Sequence, residues 1–383
     1  MRILHTSDWH LGRAFHGVDM LPHQADFIDH VLDVVETEGV DLVVIAGDIY
    51  DRGLPPVDAV SLASRAFGRL AQSRAQVVIS SGNHDSARRL GFAADLIAHA
   101  GVHLRTDASR LDHPVILNDA HGEVAVYGIP YLDPEVCKRE WSLSARSHEA
   151  SLTEAMNRVR ADLAQRSGTR SVVLAHAFVA GGQPSDSERD ITVGGVDRVP
   201  VGVFDGIDYV ALGHLHGQQT LRENVRYSGS PLAYSFSETT HRKGSWLVDL
   251  GPDGEVAAEF IAAPVPRPLA RLQGTLDELL TDARYAEHEG AWIQATLTDE
   301  ARPLNAMDRL RKRFPHALAL AYQPTQGAQR ERVARESMTD QELILHFVDH
   351  ARSTVATPSE SDLIADALAA CCHDPEADQS VSA

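Results

Sequence analysis

The 383 residues predict an α/β fold. A large domain over residues 1–263 is built mainly on parallel strands, a small α+β domain follows over 264–325, and helices occupy 326–372. Three observations carry that division. Short apolar runs recur, and each breaks off at polar residues on its C-terminal side. Segments of helical periodicity separate the first of these runs, which requires βαβ crossovers and hence parallel strands. From residue 224 the pattern changes to alternation with Gly and Pro punctuation, and at 264 a proline-rich stretch interrupts it.

The elements follow in order. Arg2 to Ser7 reads as a strand ending at Asp8, and "DLVVIA" (41–46) ends at Gly47-Asp48. "QVVIS" (76–80) precedes Gly82-Asn83, "SVVLA" (171–175) precedes His176, and "YVAL" (209–212) precedes Gly213-His214. Phe27, Ile28, Val31, Leu32 and Val35 form an i, i+3/4 stripe, and Ala59, Leu62, Ala63, Ala66 and Leu70 a weaker one. "NVRYSGS", "GSWLVDL" and "EVAAEFIAA" read as antiparallel strands. "PVPRP" (264–268) is a stiff linker. Beyond it, "AWIQATLTD", the helix-like "AMDRLRKRF" and "ALALAYQP" make the small domain. Met338-Thr339-Asp340 opens a helix in which Leu343, Ile344, Phe347 and Val348 form an apolar stripe, suited to a partner or to packing on its own chain. Residues 373–383, with three acids and no Lys or Arg, are expected to be a disordered tail.

Bulk properties bound the function. Hydrophobic residues are 43% of the chain, enough for a substantial core. No apolar run approaches the roughly 20 residues that cross a bilayer. The N-terminus reads directly into a strand, without a signal peptide's apolar core, so a cytoplasmic protein is expected. Cys137, Cys371 and Cys372 make neither a disulfide framework nor a CxxC pair. A net charge of −19 repels phosphate polymers at long range. A nucleic-acid role must then rest on metal ions, a local basic surface or a partner. Residues 301–335 offer such a surface, with eight Lys and Arg against two acids, "RLRKRF" (309–314) among them. A solvated helix face accounts for the same composition equally well.

Ligands gather outside the carboxyl ends of parallel strands. Asp8, His10, Asp48, Asn83, His176, His214 and His216 all follow their strands, so one crevice can collect them. Singly, Asp8 and Asp48 read as helix caps, Asn83 as a turn residue and His176 as a core histidine. Five strand ends of one polarity favour a shared site. Imidazole mixed with carboxylate and amide oxygen suits Mn²⁺, Fe²⁺ or Zn²⁺ better than Mg²⁺ or Ca²⁺. Seven donors exceed one tetrahedral ion but fit two ions sharing a carboxylate, a pair that clamps an in-line displacement at phosphorus.

The order D-x-H, G-D-x-x-D, G-N-H-D, a lone His and G-H-x-H resembles the calcineurin-like metallophosphoesterases. "HTSDWHLGR", "GDIYDRGLPP" and "GNHDS" are similar to the SbcD family of exonuclease subunits, the bacterial counterpart of the double-strand-break repair nuclease. The resemblance is strong over about residues 1–250. It implies a two-sheet sandwich flanked by helices, with a small capping domain and C-terminal helices. It also implies two Mn²⁺ ions, with Fe²⁺ or Zn²⁺ as alternatives. Asp8, His10 and His216 would hold one ion, Asn83, His176 and His214 the other, and Asp48 would bridge them. His84 would contact the scissile phosphate and assist the leaving oxygen, while Asp85 either orients His84 or holds the turn. Archaeal relatives commonly carry a second active-site His three positions after the bridging Asp, where this chain has Asp51. Arg13, Arg52, Arg88 and Arg89 flank the motifs, as contacts to neighbouring phosphates or as solvated charges.

The implied partners are DNA beneath the capping domain and an SbcC-type ATPase gripped by the C-terminal helices, with Leu343, Ile344 and Phe347 as candidates. A homodimer through helices near 57–72 and 89–99 is implied too, making a heterotetramer with the ATPase. The expected function is a DNA exonuclease and endonuclease acting on ends and hairpins. The alternatives are a phosphoesterase for nucleotides or small phosphodiesters, and a non-enzymatic scaffold of the same fold.

Overall fold

A computed structural model describes residues 1–188, 191, 198–324, 338–352 and 354–371. Its first 323 residues form one compact unit, and the chain from Pro324 onward forms another.

The first unit opens with β1 (Arg2–Thr6), a two-stranded ribbon of β2 (Ala14–Phe15) and β3 (Val18–Asp19), and helix α1 (Leu21–Thr37). Next come β4 (Leu42–Ala46), α2 (Val57–Gln72), β5 (Gln76–Ser80), the short α3 (Ala87–Leu90) and α4 (Ala94–Ala98), and β6 (Val102–Arg105). A second series follows: β7 (Val115–Asp119), β8 (Gly122–Gly128), α5 (Pro134–Trp141), α6 (His148–Leu163), β9 (Arg170–His176) and β10 (Tyr209–Gly213). It closes with β11 (Gln219–Arg222), β12 (Val225–Tyr227), β13 (Gly244–Leu250) and β14 (Val256–Ala262).

These strands make two six-stranded sheets, ordered β14-β13-β1-β4-β5-β6 and β11-β12-β10-β9-β8-β7. Alternate side chains of each strand point to opposite faces. Ile3, Leu42, Val44 and Val78 of the first sheet pack against Val126, Val172, Leu174 and Ala211 of the second. On its outer face the first sheet buries Val43, Ile45, Val77 and Ile79 under α1 and α2. The second buries Tyr127, Val173, Val210 and Leu212 under Leu152, Ala155, Met156 and Val159 of α6. The layers run helix, sheet, sheet, helix. All five apolar positions read as the α2 stripe are buried.

The parallel strands divide between two sheets, as the family resemblance implies. Strands buried on both faces are apolar throughout, so their composition does not say which sheet they join. The stretch 224–263 is not uniformly antiparallel. The strands β13 and β14 are, but β12 pairs parallel to β10 on one side and antiparallel to β11 on the other. Near 89–99 lie two short helices, α3 and α4, parted by residues 91–93, where Ala93 has a φ of 59°.

The small α+β region has β15 (Leu269–Gly274), α7 (Leu276–Thr281), β16 (Trp292–Leu297), α8 (Ala306–Arg313) and β17 (Ala317–Tyr322) in an all-parallel sheet. Thr275 and Glu278 form a reciprocal capping box at the start of α7. The helices cover the sheet with Leu276, Leu279, Leu310 and Phe314. Trp292 leans outward onto Phe15, ring centroids 5.3 Å apart. Part of the basic stretch is used internally. Arg313 donates to the carbonyls of Leu279 and Asp282 and pairs with Glu289, leaving Arg309 and Lys312 exposed. Residues 325–335 of that stretch, and the tail 373–383, lie outside the described residues.

The second unit, by itself, is a hairpin of α9 (Asp340–Arg352) and α10 (Pro358–Cys371). Thr339 caps α9 and its hydroxyl and amide both donate to Glu342. Phe347 and Leu363 are mostly exposed. Among the described residues no helix is long and apolar enough to cross a membrane.

Candidate metal centre

The loops after β1, β4, β5, β9 and β10 meet at the carboxyl ends of the two inner sheets. Backbone bonds lock the first two loops together: Asp8 N donates to the Gly47 carbonyl (3.1 Å) and His10 N to the Asp48 carbonyl (3.0 Å). Asp8, His10, Asp48 and His214 all have positive φ, of 54°, 47°, 50° and 104°. Non-glycine residues seldom adopt such angles, and strain of this kind concentrates where function fixes a side chain. Two glycines permit the close approach. A Cβ on Gly82 would lie 2.1 Å from Asp48 Oδ1, and one on Gly213 would lie 1.8 Å from the Ala46 carbonyl oxygen.

The seven proposed donors are brought together. One ligand atom each from Asp8, His10 and His216 lie within 4.8 Å of one another, as do those of Asp8, Asp48 and His176. Asp48 stands between the two groups, its Oδ2 being 3.7 Å from His10 Nε2 and 3.4 Å from His176 Nε2. Its other oxygen accepts the His84 backbone N–H at 2.8 Å. Asn83 Oδ1 faces His176 Nε2 at 2.9 Å and His214 Nδ1 at 3.3 Å. His10 Nε2 and His216 Nε2 oppose each other at 3.0 Å. Asp8 ties the two sheets, accepting from the Ser7 hydroxyl and from the His214 backbone N–H (3.1 Å).

His84 joins the cluster as well, since its ligand atom also lies within 4.8 Å of those of His10 and Asp48. Its Nδ1 donates to the Asp51 carbonyl at 2.7 Å, leaving Nε2 free. Asp85 does not meet that ring. Its carboxylate accepts the N–H groups of Gly82 (2.9 Å), Tyr50 (2.9 Å) and Ile49 (3.1 Å), pinning the β5 loop to the β4 loop. Of the flanking arginines, Arg13 is drawn in, stacked 5.0 Å from the Tyr234 ring centre and donating to the Ser187 carbonyl. Arg52, Arg88 and Arg89 are exposed.

The electrostatics call for positive charge. Burial pushes the Asp8 carboxyl up and the Asp48 charge adds to it. Burial acts on Asp48 in the same sense, but the charge and hydrogen bond of His176, aided by His10 and His84, hold it well below the usual carboxylate range. Burial lowers His176, and Asp48 and Asp8 outweigh it, raising that imidazole to about 9. Burial keeps His10 and His216 far below their ordinary value and His214 down to about 3. A proton on His176 thus does part of what a cation would do. The residues fit a metal: mixed nitrogen and oxygen donors converge on two buried carboxylates.

Several supporting residues escaped the sequence reading. Gln24 Nε2 donates to the His10 carbonyl at 2.8 Å. Lys243 Nζ, paired with buried Glu238, donates to the His216 carbonyl at 2.8 Å. Ser187 Oγ meets His216 Nδ1 at 2.6 Å, and Glu188 Oε1 accepts the His216 N–H at 2.7 Å. They come from separate segments, and only the run "SDSE" (185–188), dense in hydrogen-bonding side chains, hinted at such a task.

Comparison with known proteins agrees with this geometry. The calcineurin-like phosphoesterase family model matches residues 1–218, more than half the chain. A second family model, SbcD_C, described as Type 5 capsule protein repressor C-terminal domain, matches 265–352. Among solved structures, TT1561 of Thermus thermophilus is 12% identical with a TM-score of 0.40, covering 68% of this chain and 98% of that one. An archaeal phosphodiesterase is 12% identical with a TM-score of 0.29, covering 68% and 100%. GAP50, the anchor in the inner membrane complex of Plasmodium, is 12% identical with a TM-score of 0.42, covering 85% and 98%. At such scores nothing of their function passes to this chain.

Proposed function

Because the chain belongs to the calcineurin-like phosphoesterase family of metal-dependent phosphoester hydrolases, and its two matched regions are those of an SbcD-type subunit, we propose that it is the nuclease of an SbcCD-type complex. It hydrolyses phosphodiester bonds at DNA ends and hairpins. The observation that carries this reading is the convergence of Asp8, His10, Asp48, Asn83, His176, His214 and His216, from five loops, on two buried carboxylates.

Asp8, His10 and His216 would hold one ion, Asn83, His176 and His214 the other, and Asp48 both. Two divalent ions, Mn²⁺ in our reading, supply Lewis-acid stabilisation of the attacking and leaving oxygens. The protein supplies the rest. His84, with Nδ1 fixed on the Asp51 carbonyl, presents Nε2 as the atom that gives a proton to the leaving oxygen. Asp85 acts through the backbone: by gripping Gly82, Ile49 and Tyr50 it sets the distance between Asp48 and His84.

Residues 1–263 serve as the nuclease domain and 264–325 as the cap, which turns Arg309 and Lys312 toward a phosphate backbone and offsets the chain's net −19. The C-terminal match suggests an SbcC-type ATPase partner, taken up by the α9–α10 hairpin through Leu343, Ile344 and Phe347. A homodimer would cover Leu54, Val57, Phe92 and Leu96, all largely exposed.

Cleavage of linear and hairpin DNA across a metal series, with and without the ATPase, tests the proposal. Mn²⁺-dependent cutting that increases with the partner is expected. Hydrolysis of cyclic nucleotides or small phosphodiesters with DNA left intact would replace it with the small-substrate alternative, and failure to bind metal would leave only a scaffold.

A further inference from the structure

An imidazole binds a metal only through a nitrogen that carries no proton, so a ligand histidine needs its other nitrogen protonated. For His176 that is settled by a backbone carbonyl, since Nδ1 faces the Ala46 oxygen at 3.0 Å and a carbonyl only accepts. His216 is different. Its Nδ1 meets a hydroxyl, Ser187 Oγ, at 2.6 Å, and a hydroxyl can donate or accept. Taken alone, that contact leaves the proton of His216 on either ring nitrogen.

The neighbours of Ser187 remove the ambiguity. Ser187 Oγ lies 2.8 Å from Ser185 Oγ, which lies 2.7 Å from Glu188 Oε2. Glu188 Oε2 also accepts the Ser185 backbone N–H at 2.7 Å, and Oε1 accepts that of His216 at 2.7 Å. A carboxylate has no proton to give. Ser185 must therefore donate to Glu188, Ser187 must donate to Ser185, and only the Ser187 lone pairs remain for His216. The Asp186 N–H to Ser237 Oγ (2.9 Å) and Arg13 to the Ser187 carbonyl (2.7 Å) hold the segment in place. Ser187 is buried, so water does not compete for the contact.

We propose that Glu188, Ser185 and Ser187 form a one-way hydrogen-bond relay that fixes His216 with its proton on Nδ1 and its Nε2 lone pair facing the metal centre. They are positioning residues: they touch neither substrate nor ion. This rests on the reading of His216 as a metal ligand. In Glu188→Gln one carboxyl oxygen becomes an NH2 group, which can donate to the Ser185 hydroxyl but no longer accepts a backbone N–H. The relay can then run backward, and His216 can hold its proton on Nε2.

The test uses the full chain, stripped of metal and labelled with ¹⁵N-histidine, at neutral pH. Long-range ¹⁵N–¹H spectra, with His216→Asn for assignment, read the tautomer. Calorimetric titration with Mn²⁺ reads both sites. The parent should show Nδ1–H at His216 and bind two ions. Glu188→Gln should show a mixture and bind one of the two ions about 10- to 100-fold more weakly. Ser187→Ala should do the same, and the parent spectrum decides the matter if that variant fails to fold. An Nε2–H His216 in the parent, or the parent tautomer with parent affinity in both Glu188→Gln and Ser187→Ala, overturns the relay. A parent that binds no Mn²⁺ overturns the metal-centre reading instead.

Discussion

The two sheets give the centre different things. The loops of the first supply Asp8, His10, Asp48 and Asn83, mostly oxygen donors, three of them on strained backbone. Their free valences are taken by main-chain N–H groups: His214 N on Asp8, His84 N on Asp48. The second sheet supplies three imidazoles, His176, His214 and His216, on buried strand ends. The first side fixes the charge of the site and the second fixes its directions. Neither half holds a complete set of ligands, so the centre exists only where the sheets pack.

The largest effect is expected where the halves share a residue. Asp48→Ala should abolish binding of both ions, measured as metal content per chain, and lower phosphodiester hydrolysis by about 10³-fold or more. A full metal complement in that variant would remove Asp48 from the bridging position. His84→Gln should keep both ions yet cut the turnover rate by about 10²- to 10⁴-fold. Parent-rate cleavage there would show that the proton comes from elsewhere.

Gly82→Ala probes the oxygen side alone. Its Cβ would lie 2.1 Å from Asp48 Oδ1 and 2.4 Å from Asp48 N, so the loop must move. Weaker metal binding and a loss of about 1–3 kcal/mol in chemical denaturation are expected. Gly53→Ala is the control, since its Cβ would meet nothing nearer than 3.6 Å.

The smallest effect lies at the opposite end of β9. There Arg170 pairs with Asp119, which also meets the Met1 ammonium at 2.7 Å. Burial works against the Asp119 charge, but Arg170 and the ammonium outweigh it and hold the carboxyl well below its usual range. A depressed folded-state pKa contributes stability above the unfolded carboxylate value, about 3.9, and loses it as the pH falls below. Denaturation midpoints of the parent should drop on acidification below about pH 4, and those of Arg170→Met should drop less. Equal slopes would mean that the pair does not couple to folding.

Strand polarity made the convergence legible before any coordinates. Asp48 alone reads as a cap and Asn83 as a turn residue, but both follow strands whose carboxyl ends must lie together. The family resemblance implied two sheets, but composition did not say which strand joins which, because "DLVVIA" and "SVVLA" are buried on both faces and look alike. Asp85 left two tasks open until its three N–H partners were seen. Gln24 and Lys243 had no signal at all: each reaches a ligand histidine across the tertiary fold, and such contacts leave no local pattern.

Anomalous scattering from crystals grown with Mn²⁺ tests the shared centre most directly. Two peaks about 3.5–4 Å apart should flank Asp48, one beside His10 and His216, the other beside Asn83 and His176. A single peak, or two that do not both contact Asp48, would contradict it.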